Sequence, residues 1–154
     1  MHDGPKVKAN PLRIFVILLA ISFVLGEIIN AYLKLPTLIN IIGVFSLILF
    51  FLLFFISARM FFIHNEKLAP STPSDKIIKT GIYAYTRNPI YVAFIGFQIS
   101  MFLVFGNIFY VLSSIFLSIW IHFFVIIPEE NYLIKKFGNE YERYKKNVGR
   151  WIFF

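Results

Sequence analysis

The stretch KTGIYAYTRNPIY, Lys79 to Tyr91, gathers a glycine, three tyrosines, an arginine and an Asn-Pro pair at the edge of a long apolar run. Asn is a favoured N-cap and Pro a favoured first helical residue, so a helix is expected to begin at Asn88-Pro89. Its free N–H groups and positive dipole end suit an anionic ligand group, and Arg87 stands beside them. The competing reading has Arg87 snorkelling to lipid headgroups while Tyr83, Tyr85 and Tyr91 join an interfacial aromatic belt. A second cluster, Glu129-Glu130, directly follows another apolar run, where adjacent carboxylates are costly unless partnered. They suit a cationic ligand group or a pair with Arg87; the alternative is a pair of solvated helix-end charges. His122 precedes Glu129 by two helical turns, which on a straight helix puts both on one face. It is either an intramembrane functional group or a buried histidine bonded to a neighbour.

These residues need a membrane scaffold. The chain has 154 residues, 58% hydrophobic and 19% aromatic against 15% charged, too little polar surface for a soluble domain of this size. Apolar runs longer than about 18 residues recur, the length that crosses a bilayer. Four spans are expected, at 12–33, 38–63, 89–105 and 108–127. No Asp, Glu, Lys or Arg occurs from Asn88 to Pro128, too long a stretch for one helix, and Gly106-Asn107 is its natural turn. The expected fold is an all-α integral membrane protein of about four transmembrane helices, with a tight C-terminal hairpin and an amphipathic helical tail. It forms a single membrane domain over 1–154, with an N-terminal hairpin at 12–63 and a loop at 64–88. Glu27 and Asn30 are expected to make interhelical polar contacts. In the tail, Asn139 and Glu142 have the spacing of a capping box, and Tyr141, Tyr144 and Val148 share a face of the helix that would follow.

Basic residues flank the first span, the central loop and the tail, whereas Lys34 alone falls on the other side. Both termini and the loop are therefore expected to be cytoplasmic, in the inner membrane if the source is prokaryotic. The first apolar run is too long for a signal peptide and lacks a small-residue cleavage site, so a retained anchor is expected. The net charge of +7 is assigned to contact with anionic membrane lipid rather than nucleic acid. Absence of cysteine excludes disulfides and thiolate chemistry. The three histidines are too scattered for a metal site, and no phosphate loop, dinucleotide-binding glycine pattern or nucleophile elbow occurs.

Taken together, GIYAYTRNPIY, the charge-free hairpin and PEENYLIKKFGNEYERYKKNVGRW resemble the C-terminal half of the isoprenylcysteine carboxyl methyltransferase family. The related membrane phospholipid methyltransferases share this pattern. The resemblance covers roughly Asp75 to Trp151, and it implies S-adenosylmethionine as cofactor and a lipophilic, membrane-embedded methyl acceptor. It assigns Asp75, Lys76, Ile77 and Ile78 to a cofactor-lining segment and Gly81 and Tyr83 to a Gly-x-Tyr element. Arg87, Asn88, Pro89, Ile90 and Tyr91 fall in the central motif, Glu129 and Glu130 are the glutamate pair, and Phe137, Gly138, Tyr141 and Tyr144 belong to a tail that closes over the cofactor. Arg87 and Glu129 are the expected catalytic pair, with His122, Val125, Phe94 and Arg150 on the substrate side. Phe97, Phe123 and Phe124 are expected to join Phe94 around an acceptor tail. The eukaryotic prenylcysteine enzymes carry His where this chain has Asn88, and a substrate-binding arginine where it has Val125. Farnesylcysteine is accordingly expected to be a poor acceptor. A non-catalytic membrane scaffold or transporter subunit, and a nicotinamide-dependent membrane reductase, are the competing classes.

Overall fold

Asn10 opens helix α1 (Pro11–Ile29) by accepting the Leu12 N–H at 2.9 Å, with Pro11 in the first helical position, as both residue types favour. A computed structural model describes residues 4–152; residues 1–3 and 153–154, His2 among them, lie outside the described residues. Helix α1 ends at Asn30, whose left-handed backbone (φ 55°) turns its N–H onto the Gly26 carbonyl. The first span thus stops short of the expected Leu33. Asn30 is a helix cap and Glu27 accepts the hydroxyl of nearby Tyr32, so the interhelical contacts expected of this pair are local ones.

Helix α2 (Thr37–Ile63) and helix α3 (Pro89–Phe105) pack along most of their shared length. Gly43 makes this possible: a Cβ there would lie 2.8 Å from the Leu103 carbonyl carbon. Small residues let membrane helices approach closely where no hydrophobic driving force separates lipid from side chain. Beside it Asn40 Nδ2 donates to the Leu103 and Val104 carbonyls at 3.1 and 2.9 Å. Helix α4 (Ile108–Ile121) follows the expected turn, with Gly106 at φ 73°. It packs between α1 and α3.

Asn107 holds this end of the bundle together. Its Oδ1 accepts the Phe109 N–H at 3.0 Å, capping α4, while its Nδ2 donates to the Ser22 carbonyl of α1 at 2.8 Å. The backbone adds Leu33 N–H to Gly106 and Ile108 N–H to Ala31. Among the described residues, Pro11–Ile29, Thr37–Ile63 and the continuous stretch Ile108–Phe137 are long and apolar enough to cross a bilayer, with Pro89–Phe105 a shorter apolar helix. The protein is an all-α integral membrane protein; Phe23, Ile28, Phe45 and Leu49 on the outer faces of α1 and α2 are exposed and meet lipid.

The fourth span does not end where expected. After α4 the backbone widens into a π-helical segment, His122–Ile126, and continues without a break as α5 (Ile127–Phe137). Pro128 accounts for this: it has no N–H to offer a carbonyl four residues back, and the helix widens where that bond is missing. Gly138, at φ 51°, then reverses the chain into α6 (Asn139–Asn147), which folds back over the loop. The expected capping box is not formed. Asn139 is the first helical residue, and the Gly138 carbonyl accepts the N–H groups of Tyr141 and Glu142. Tyr141 and Tyr144 are both buried, as their shared face requires.

Replacing Asn107 by Ala should lower stability by about 2–3 kcal/mol, since it removes a helix cap and a buried hydrogen bond together. Asn30→Gly should be neutral, because glycine enters the left-handed conformation freely. Thermal unfolding in detergent measures both, and equal losses would place the constraint elsewhere.

Candidate active site

At the end of the bundle opposite Asn107, the α3 start, α5 and α6 surround a cavity of about 340 Å³. Its polar wall carries Tyr83, Arg87, Asn88, Tyr91, Glu129, Glu130, Tyr141 and Tyr144. Its apolar wall is Leu12, Phe54, Phe61, Ile90 and Phe94. Lys76, Ile77 and Ile78 close one side. Directly beneath lies the apolar core, where Leu117, Ile121, Val125 and Ile126 are buried against Tyr91 and Phe94.

The two glutamates, adjacent in sequence, do different things. Glu130 is buried between two arginines: Arg150 approaches both of its oxygens, Nε at 3.1 Å and Nη2 at 2.6 Å, while Arg87 Nη1 lies 3.0 Å from Oε1. Such fork-to-fork pairing is the strong arrangement for a buried carboxylate. The hydrogen bond from Arg150 to Glu130 also raises the Arg150 pKa above its ordinary value. Glu129 instead points into the cavity and accepts the Tyr91 hydroxyl at 3.1 and 3.2 Å. Among the described residues it has no cationic partner.

The π-helical segment explains the division. On a straight helix His122 and Glu129 would share a face, but the widened turn rotates everything after it. His122 is brought toward Glu130 instead: its Nε2 lies 3.4 Å from Arg150 Nη1, and its ring stacks on Trp151. His122 therefore lies outside the cavity.

Arg87 is 8% exposed at its side chain, and its Nε and Nη1 groups have no aligned hydrogen-bond acceptor. Unsatisfied buried donors are rare; Arg87 lines the cavity, and these two nitrogens lie buried behind its surface. The Tyr83 hydroxyl is likewise buried without a partner. Burial pushes the phenols of Tyr83, Tyr141 and Tyr144 above their ordinary range, so they remain protonated donors. Tyr144 donates to the Tyr83 carbonyl at 2.6 Å, locking α6 onto the 3-10 turn Gly81–Ala84.

Several expected residues take other places. Asn88 stands at the N-cap of α3 without capping it; its side chain donates to the Arg150 carbonyl at 3.0 Å. Asp75 is exposed near Lys136, Gly81 supplies the positive φ (60°) of the 3-10 turn, and Pro89 is buried at the helix start. None of these three lines the cavity. Val125 is fully buried in the core beneath and does not line the cavity. Phe97 packs edge-on against Phe15, Phe123 is exposed, and Lys8 sits over Phe124; of the four expected phenylalanines only Phe94 lines the cavity.

Sequence reasoning missed Phe54, Phe61 and Glu66. Glu66 lines the cavity and accepts the N–H groups of Asp75 and Lys76 at 3.0–3.1 Å, clamping the loop beside it. Its position as the sole carboxylate between Ile63 and Asp75 was the available signal.

The two glutamates should respond oppositely to neutralisation. Glu130→Gln leaves two cations with a weakened acceptor and should cost about 3 kcal/mol. Glu129→Gln replaces a carboxyl that has no cationic partner at a poorly hydrated wall and should leave stability unchanged or raise it. Chemical unfolding in detergent separates them; a larger loss for Glu129→Gln would reverse the assignment.

The sequence matches the phospholipid methyltransferase family over residues 36–140, well over half of the chain. It is 38% identical over 74 residues to the protein-S-isoprenylcysteine O-methyltransferase of Schizosaccharomyces pombe, covering 47% of this chain and 30% of that protein. The Saccharomyces cerevisiae protein of the same name is 38% identical over 79 residues, covering 51% of this chain and 33% of that protein. An uncharacterized protein of Haemophilus influenzae is 47% identical over 47 residues, 30% of this chain and 75% of that one. The chain thus spans about a third of the length of the two yeast relatives. No solved structure matches it. With its membrane helices and the span of the family match, the chain belongs to the phospholipid methyltransferase family.

Proposed function

We propose that the protein is an S-adenosylmethionine-dependent methyltransferase acting on a lipophilic acceptor at the cytoplasmic edge of the membrane. The observation that carries this reading is the divided cavity wall, with Glu129, Tyr91, Arg87 and Tyr141 on one side and Leu12, Phe54, Phe61 and Phe94 on the other. The cofactor supplies an electrophilic methyl group on a sulfonium and also carries an ammonium, a carboxylate and ribose hydroxyls. Glu129 suits its cationic groups, the Arg87 and Tyr83 donors suit its oxygens, and Tyr141 and Tyr144 close the polar side.

Methyl transfer is an in-line displacement, so the protein's work is chiefly alignment and exclusion of water. Tyr91 holds the Glu129 carboxylate in one orientation. The α6 lid, fixed by Tyr144 on Tyr83, keeps bulk water from the polar side. An amphiphilic acceptor would place its head near Arg87 and its tail along Phe54, Phe61 and Phe94, entering between α1 and α2. This path follows Phe54 and Phe61 rather than Phe97, Phe123 and Phe124, the residues expected from sequence beside Phe94. A nicotinamide-dependent reductase is disfavoured because no feature of this wall is specific to a nicotinamide.

Calorimetric titration in detergent should show binding of S-adenosylmethionine and none of NADPH. Glu129→Gln should weaken binding by about 1–3 kcal/mol, the loss of a charge-assisted partner. Given total membrane lipid and labelled cofactor, the enzyme should place label in lipid-extractable product. Label confined to water-soluble product, or unchanged affinity in folded Glu129→Gln, would contradict the reading.

A further inference from the structure

Arg150 lies outside the cavity, yet it holds the residue that stands in its wall from two directions. Its guanidinium takes both oxygens of Glu130, with Nε at 3.1 Å and Nη2 at 2.6 Å. Its carbonyl accepts the Thr86 hydroxyl at 3.2 Å and Asn88 Nδ2 at 3.0 Å, on either side of Arg87. The neighbouring Gly149 carbonyl accepts the Arg87 N–H at 3.0 Å. Arg87 is therefore clasped by the chain segment that also supplies its competitor for Glu130.

That competition has a consequence for the site. A free carboxylate beside a guanidinium forms the two-pronged pair. Because Arg150 occupies the fork, Arg87 reaches Glu130 only through Nη1 at 3.0 Å, in a contact not aligned as a hydrogen bond. Its Nε and Nη1 are thereby left without an aligned hydrogen-bond acceptor. We infer that Arg150 is a positioning residue: by saturating Glu130 it leaves the guanidinium of Arg87, a residue that lines the cavity, available to the oxygen groups of the bound cofactor or acceptor. The inference rests on the methyltransferase reading for the identity of the ligand, but not for the behaviour of Arg87.

Lysine cannot reproduce this arrangement, because an ammonium is a single point donor that cannot span two carboxylate oxygens. Removal of Arg150 frees the fork, and Arg87 closes on Glu130 and withdraws. The Arg150→Ala and Arg150→Lys proteins would be compared with the native one by two readouts. One is the ¹⁵N resonance of the Arg87 Nε–H, assigned from its loss in Arg87→Lys. The other is calorimetric affinity for S-adenosylhomocysteine.

In Arg150→Ala the Arg87 resonance should move to the position of a paired guanidinium, and affinity should fall at least about tenfold. Added guanidinium ion should restore both, and Arg150→Lys should fall between. An unmoved Arg87 resonance with native affinity would overturn the inference. So would an affinity loss that guanidinium leaves untouched and that follows thermal stability. If Arg150→Ala does not fold, Arg150→Lys carries the same comparison. If the native protein fails to bind S-adenosylhomocysteine while the Arg87 resonance moves as stated, the positioning role stands and the cofactor reading fails.

Discussion

Glu130, 7% exposed at its side chain and flanked by Arg87 and Arg150, is the constraint around which this end of the molecule is arranged. An isolated buried carboxylate is costly enough that it would either take a proton or pull the helix toward water. Two guanidinium groups remove that cost, and each comes from a different part of the chain: the start of α3 and the segment after α6. The ion network thus draws the tail back across the loop. The Tyr144 bond to Tyr83 and the main-chain bonds to residues 149 and 150 follow from that approach. Without it the cavity would have no third wall.

The same requirement makes sense of the π-helical turn. One glutamate must be buried in the clasp while its neighbour presents its carboxyl group to the cavity. Consecutive residues on a helix project roughly 100° apart, so the helix must be rotated to aim both correctly. Pro128, which has no N–H to donate, leaves one helical hydrogen bond unmade and so permits the widened turn. His122, which a regular helix would have aimed with Glu129, is carried instead to the Arg150 side. A feature of the backbone thus decides which of two chemically identical side chains is clasped by the arginines and which is left to the cavity.

Much of this was legible from local signals. Asn88-Pro89 and Gly106-Asn107 bracket α3 because caps and turns act through residues adjacent in the chain, and the structure places α3 between those marks. The polar residues on the cavity wall, Arg87, Tyr91, Glu129, Tyr141 and Tyr144 among them, were also visible. What was not legible depends on approach between distant elements. Phe54 and Phe61 sit in a long uniformly apolar helix, where nothing in the pattern marks one face from another. The division of labour between Glu129 and Glu130 hinged on a turn of the helix, for which Pro128 was a sign left unread. Asn88 was named as a cap from its type, but its side chain is turned so that Nδ2 donates to the Arg150 carbonyl and Oδ1 makes no capping bond. Val125 was placed by correspondence with a family residue, and it lies buried in the core beneath the cavity.

The central claim is that one cavity joins a polar half, aimed by Glu129 and Arg87, to an apolar half open to the bilayer. An experimental structure of the protein in lipid nanodiscs with S-adenosylhomocysteine tests it most directly. The account predicts the product's sulfur and amino-acid group beside Glu129, Tyr91 and Arg87, with lipid or detergent density reaching it along Phe54, Phe61 and Phe94. Product bound outside this cavity, for example against His122 and Trp151, would contradict it.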